Sequence, residues 1–66
     1  GQSAGQFIRN YRLNTARELL LKNRETKQMN IAEIAYEVGF NDPKYFARCF
    51  SKQFNTTPSA LLNEEE

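Results

Sequence analysis

Residues 30–50, NIAEIAYEVGFNDPKYFARCF, contain two helix patterns with a turn between them. Asn30 and Glu33 have the spacing of a capping box, in which each side chain bonds the backbone N–H of the other residue. Apolar residues follow at helical spacing, so the sequence predicts a helix over about residues 31–38. Gly39 predicts the end of this helix, because glycine enters the left-handed region without steric cost.

The second helix pattern begins at Asn41-Asp42-Pro43. A capping residue followed by proline near the first helical position is a strong signal for a helix start. Phenylalanines recur every four residues from Phe46 to Phe54 and therefore lie along one edge, and Asn55 tolerates the left-handed geometry that ends a helix. The sequence predicts a helix over about residues 42–54 with its phenylalanine edge in the core.

The two patterns have the spacing of a helix-turn-helix motif. Ala35 lies four residues before Gly39. A small residue at that position allows the two helices to cross closely, and the glycine makes the tight turn. We therefore predict that these two helices share one core.

A longer and a shorter helix flank this pair. Ser3 and Gln6 predict the start of a long helix over about residues 4–22, and Thr57-Pro58 predicts a short closing helix over about residues 58–63. We interpret the apolar residues of the long helix as one stripe, composed of Phe7, Ile8, Tyr11, Leu13, Ala16, Leu19 and Leu20. Residues 23–29 are polar and aperiodic, which predicts a loop. The sequence predicts an all-α bundle of three to four helices.

Composition argues against an enzyme or a metal protein. The 66 residues include no histidine and one cysteine, Cys49, which we interpret as a small hydrophobic residue. Without histidine or a second thiolate no structural zinc site is plausible, and the commonest general base is missing. No apolar run approaches the roughly 20 residues that span a bilayer, and no signal peptide is visible. We expect a cytoplasmic protein that has no catalytic activity, no cofactor, no metal and no membrane contact.

The net charge of the chain indicates a possible class of partner once the acidic C-terminal tail is counted separately from the other residues. The formal net charge is +1, but three of the eight acidic residues form the tail Glu64–Glu66. Residues 1–63 therefore carry nine basic and five acidic side chains, a net charge of +4. This basic excess is compatible with a polyanionic partner. We expect the glutamate tail itself to be solvated.

At many spaced positions the chain resembles one family, the AraC/XylS-type bacterial transcription regulators. The motif residues are Ile31-Ala32-Glu33-Ile34-Ala35, Val38-Gly39-Phe40, Tyr45-Phe46-Ala47-Arg48, Phe50 and Thr57-Pro58. The upstream residues that resemble the family's long central helix are Phe7-Ile8-Arg9, Tyr11-Arg12-Leu13 and Ala16, Leu19 and Leu20. The resemblance implies a homeodomain-like helix-turn-helix fold. It covers only the second of the family's two helix-turn-helix units, so residues 1–66 are predicted to be a single-domain fragment.

The resemblance also implies a DNA-binding surface, with the helix over about residues 42–54 in the major groove. Base edges are expected to meet Lys44, Ala47 and Arg48. Backbone phosphates are expected to meet Asn41, Asp42, Ser51 and Lys52. From the residues alone, this edge would be an ordinary solvated face. Arg9, Arg12 and Arg17 of the long helix are interpreted as solvated or locally paired rather than as essential to binding.

Double-stranded DNA is the expected partner, with RNA polymerase contacted through the full-length regulator. The long helix lacks its other neighbour in the family, the first helix-turn-helix unit, so we expect self-association through Phe7, Tyr11 or neighbouring apolar residues. The alternative function is a helical protein–protein interaction module without DNA contact. Salt separates the two, because DNA binding weakens steeply with salt whereas apolar association strengthens or hardly changes.

Overall fold

The computed structural model describes residues 3–63, which form four α-helices and no strand. The helices are α1 (Ala4–Thr26), α2 (Ile31–Glu37), α3 (Pro43–Phe54) and α4 (Pro58–Asn63). The predicted all-α fold class is confirmed. Within the described residues, no helix has the length and apolarity needed to cross a membrane. Gly1, Gln2 and the predicted solvated tail Glu64–Glu66 lie outside the described residues.

Side-chain caps start the helices at the positions that the sequence indicates. The Ser3 hydroxyl accepts a backbone N–H of the first turn of α1 at 3.1 Å. Asn30 and Glu33 form both bonds of the predicted capping box, at 2.8 and 2.9 Å. The Thr57 hydroxyl accepts a backbone N–H of α4 at 2.9 Å. Each cap satisfies a donor that would otherwise have no partner at the helix terminus.

Helix α1 ends four residues later than the sequence predicts. Residues 23–26 were expected in a loop but continue the helix, and Lys27 ends it in the left-handed conformation at φ 52°. The extended part of the helix contacts α4, where the Arg24 Nε donates to the Leu61 carbonyl at 2.8 Å, and it contains Asn23, which is 5% exposed. Its side-chain oxygen accepts the backbone N–H groups of Gln28 and Met29 at 2.9 and 3.0 Å, and its amide nitrogen donates to the Met29 carbonyl. One buried amide therefore satisfies the backbone of the connection to α2.

The apolar residues of α1 occupy two faces, so the interpretation as a single stripe is wrong. Leu13, Ala16 and Leu20 are buried in the core, whereas Phe7, Ile8 and Tyr11 are 64%, 47% and 68% exposed. At 3.6 residues per turn, Tyr11 and Leu13 lie about 160° apart around the helix. One packed core therefore cannot cover both faces.

The phenylalanines of α3 form the centre of the core. Phe46 and Phe50 are fully buried, and the Phe46 ring lies 5.7 Å from the Phe50 ring and 5.3 Å from the Phe40 ring, centroid to centroid. Phe54 is half-buried, 4.7 Å from Phe50, with the Arg17 guanidinium 5.8 Å from its ring centroid. The predicted core edge is therefore confirmed, and it faces buried residues of α1 and α2.

We predict that Phe46→Ala unfolds the chain. Truncating a buried phenylalanine costs about 3–5 kcal/mol, and a core of this size rarely supplies more than about 3–5 kcal/mol in total. Thermal melts followed by far-UV circular dichroism measure the loss. Phe7→Ala is the matched control, because the same atoms are removed from a side chain that is 64% exposed. A parent-like melting temperature for Phe46→Ala would contradict this account of the core.

Candidate nucleic-acid interface

The turn between α2 and α3 determines where α3 begins. Gly39 has a φ of 103°, as only glycine readily adopts. The Gly39 N–H donates to the Tyr36 carbonyl at 3.1 Å, and the Phe40 N–H donates to the Ala35 carbonyl at 2.9 Å. These two bonds form a Schellman motif, which ends a helix with a left-handed glycine. The predicted role of Gly39 is confirmed, and Phe40 turns inward to 7% exposure.

Arg12 of α1 lies over this turn. Its Nη1 is 3.5 Å from the Gly39 carbonyl oxygen, a long hydrogen bond that contributes little by itself. A Cβ on Gly39 would lie 3.1 Å from Nε and 3.2 Å from Cζ of Arg12. The glycine therefore provides both the backbone conformation and the space for the guanidinium. Arg12 is exposed and bonded within the chain, and its partner is 27 residues away in sequence.

Asp42 caps the N-terminus of α3. Its backbone is extended, at φ −131° and ψ 110°, and its carboxylate accepts the Lys44 N–H at 3.0 Å. Pro43 occupies the first helical position, where the missing N–H costs nothing. Asn41 precedes the cap in a bend and is exposed. The three residues that the sequence marked as a helix start therefore lie at an exposed end of α3.

The exposed edge of α3 is a basic row, which we define as Lys44, Arg48 and Lys52. These residues are four apart, so they follow one another along one side of the helix, and all three are exposed. Residues 43–54 contain no aspartate or glutamate, so this edge carries three positive charges with no acidic residue on the same helix. Ala47 and Ser51 lie half-buried beside the row.

Tyr45 adds an aromatic side chain to this surface. It is 45% exposed, and its ring centroid is 6.0 Å from that of Phe40. The Tyr45 ring therefore contacts Phe40 of the core and remains partly exposed to solvent. A tyrosine in this position can offer its hydroxyl to a ligand that approaches the basic row.

A cleft between α1 and α3 borders the basic row at Lys52. The residues that line it are Gln6, Arg9, Asn10 and Leu13 of α1 and Cys49, Lys52 and Gln53 of α3. Sequence patterns did not connect Arg9 with α3, because the two helices are distant in the chain. Cys49 is a free, half-buried thiol. Among the described residues, no group of three or more His, Cys, Asp or Glu side chains could hold a metal ion.

Comparisons with known proteins identify the motif. A family model described as a helix-turn-helix domain matches residues 1–64. The chain is 50% identical over 88% of its length to "Histidine kinase P4" of Formosa agariphila, of which it covers 4%. It is 38% identical over 92% of its length to the "Transcriptional activator RhrA" of Rhizobium meliloti, of which it covers 19%. It is 39% identical over 89% of its length to the "Probable transcription factor PqrA" of Proteus vulgaris, of which it covers 45%. No solved structure matches the chain.

We predict that Asp42→Ala destabilises the chain by about 1 kcal/mol, within the range of about 0.5–2 kcal/mol for the loss of an N-cap. The Lys44 N–H would lose its bonding partner. Chemical denaturation followed by circular dichroism measures the change. Asp42→Asn is the matched control, because it keeps the accepting oxygen and loses only the interaction of the charge with the helix dipole. Equal stabilities for Asp42→Ala and the parent would contradict the assigned capping role.

Proposed function

The chain belongs to the AraC-type helix-turn-helix family of DNA-binding transcription regulators, and we propose that α3 is its recognition helix, inserted into the major groove. The basic row Lys44, Arg48 and Lys52 is the observation that supports this proposal. An α-helix with side chains is about 10–12 Å wide, and the major groove of B-DNA is about 12 Å wide. The row would then bring three cations to a surface that is lined by phosphates.

Lys44, Ala47 and Arg48 are the proposed base contacts. The guanidinium of Arg48 is a planar fork that matches the O6 and N7 acceptors of guanine, and Lys44 can donate to the same acceptors. The Ala47 methyl group suits the methyl group of thymine. Arg48 lies one turn beyond Lys44, so the two side chains would reach successive positions along the groove.

The proposed phosphate contacts lie at the two ends of this surface. Asn41 and Asp42 lie at the N-terminus of α3, where the helix dipole favours an anion. The Asp42 carboxylate is bonded to the Lys44 N–H and would repel a phosphate, so we assign the contact at Asp42 to its backbone N–H. Ser51 and Lys52 lie on the last turns of α3 and would contact DNA phosphates at the other end of this surface.

The role proposed for the chain is binding, not catalysis. The similarity to "Histidine kinase P4" implies no kinase activity for this chain, which aligns with 4% of that protein. The chain spans less than half of each relative described above, so we propose that it is one helix-turn-helix unit of a longer regulator. RNA polymerase is a proposed partner of that whole regulator, and the bacterial cytoplasm, where the DNA is, is its proposed location.

The exposed apolar face of α1, which we define as Phe7, Ile8 and Tyr11, supports a second proposal. These large side chains are between 47% and 68% exposed. Apolar side chains grouped on one surface commonly mark an interaction site. We propose that the chain self-associates through this face. A helical protein–protein interaction module without DNA contact is the alternative function that this face favours.

We predict that Arg48→Ala weakens DNA binding by about 1–3 kcal/mol and relaxes discrimination at one base position. Lys52→Ala, beside the phosphates, is expected to weaken binding equally on all sequences and to lower the salt slope by about 1. The probe is a duplex that the chain selects from a randomised pool, titrated against a scrambled duplex at several salt concentrations. Circular dichroism verifies that both variants are folded.

The same titration can contradict the assignment of α3. If Arg48→Ala and Lys44→Ala remain folded and bind the selected duplex like the parent, α3 does not read the bases. Binding that is insensitive to salt would instead favour the interaction module, because phosphate contacts release counterions and apolar contacts do not.

We predict that the parent chain shows concentration-dependent association in sedimentation velocity and that Tyr11→Ser reduces it. The reason is that Tyr11, at 68%, is the most exposed residue of the apolar face of α1. Tyr36→Ser is the control, since Tyr36 is 57% exposed on a different helix. A parent that stays monomeric at high concentration would refute self-association.

A further inference from the structure

Arg9 occupies the core-facing side of α1, beyond the point where the core ends. It lies four residues before Leu13, which is 1% exposed, so the two side chains follow one another on the same side of the helix. Both line the cleft between α1 and α3, together with Lys52 on the opposite wall. The packing that buries Leu13 therefore directs Arg9 toward the C-terminal half of α3.

The chemistry of this cleft suits an anion. Its polar side chains are Gln6, Arg9, Asn10, Lys52 and Gln53. All five carry N–H donors, two are cationic, and none is a carboxylate. Two cations that share a cleft without a carboxylate repel each other, and a bound anion removes that repulsion.

The cleft is continuous with the basic row of α3. Lys52 belongs to both surfaces, because it lies one turn beyond Arg48 and also lines the cleft. If a DNA strand contacts the basic row of α3 through its phosphates, the phosphates that follow along the same strand would therefore reach the cleft. A guanidinium binds a phosphate through two parallel hydrogen bonds, and an ammonium binds it as a point charge.

We propose that Arg9 and Lys52 together bind one phosphate of the DNA backbone, so that the DNA contact of this chain extends from α3 onto the long helix. This inference rests on the proposed function of α3. It assigns to Arg9 a role in binding, where the sequence pattern indicated only a solvated or locally paired side chain. The site carries no base specificity, since phosphates are the same in every sequence.

Salt titrations of the full 66-residue chain on a fluorescently labelled duplex of arbitrary sequence test this site. Each phosphate contact contributes about 0.9 to the slope of log K against log salt. Because Arg9 and Lys52 share one phosphate, Arg9→Ala and the double variant Arg9→Ala/Lys52→Ala are each expected to lower that slope by about 1, equally on selected and scrambled duplexes, whereas Arg9→Lys retains it. Lys22→Ala is the matched control, because Lys22 is an exposed cation of the same helix that does not line the cleft.

A double-mutant cycle tests whether the phosphate is shared. If Arg9 and Lys52 bind the same phosphate, the loss in the double alanine variant is smaller than the sum of the two single losses. Additive losses would overturn the shared site, as would a fall in slope for Lys22→Ala equal to that for Arg9→Ala. A parent-like slope for Arg9→Ala beside a lowered slope for Lys52→Ala would refute the inference and leave the recognition role of α3 intact. No salt-dependent DNA binding by the parent would refute the proposed function itself.

Discussion

Burial of Phe46 and Phe50 determines which side chains of α3 face the core and which face solvent. Both rings are fully buried against residues of α1 and α2, and a small domain has few other apolar groups with which to replace them. Once this edge faces inward, the opposite edge must face solvent, because both belong to one rigid helix. The basic row Lys44, Arg48 and Lys52 is exposed for that reason. The hydrophobic core thus selects which side chains a DNA duplex could meet.

Helix α1 packs against the other helices and forms hydrogen bonds with the segments at both ends of α2. Asn23 satisfies the backbone that leads into α2, and Arg12 lies over the Gly39 turn that leads out of it. Leu13 and Leu20 supply the buried surface between these two points. The long helix therefore packs directly against both helices of the helix-turn-helix motif and supports the position of α3.

Charge is distributed more unevenly than the net charge of +1 suggests. Helix α3 has basic and no acidic side chains, and the cleft beside it is lined by Arg9 of α1 and by Lys52. The carboxylate closest to this region in sequence, Asp42, is held by the Lys44 N–H as a helix cap. Positive potential is thus concentrated along one side of α3 and the adjoining wall of α1. A concentrated field attracts a polyanion more strongly than the same charges spread over the whole surface.

Local signals in the sequence were sufficient for the helix starts, the Gly39 turn and the buried edge of α3. Capping and four-residue periodicity depend on neighbours within one turn, so each of these features needs only the residues immediately around it. Local signals did not predict four other features of the structure. These are the extension of α1 through Thr26, the exposure of Phe7 and Tyr11, the position of Arg12 over Gly39, and the cleft that Arg9 and Lys52 both line. In each of these cases the outcome depends on which distant segment packs against a given face, and helical periodicity defines the face but not its partner.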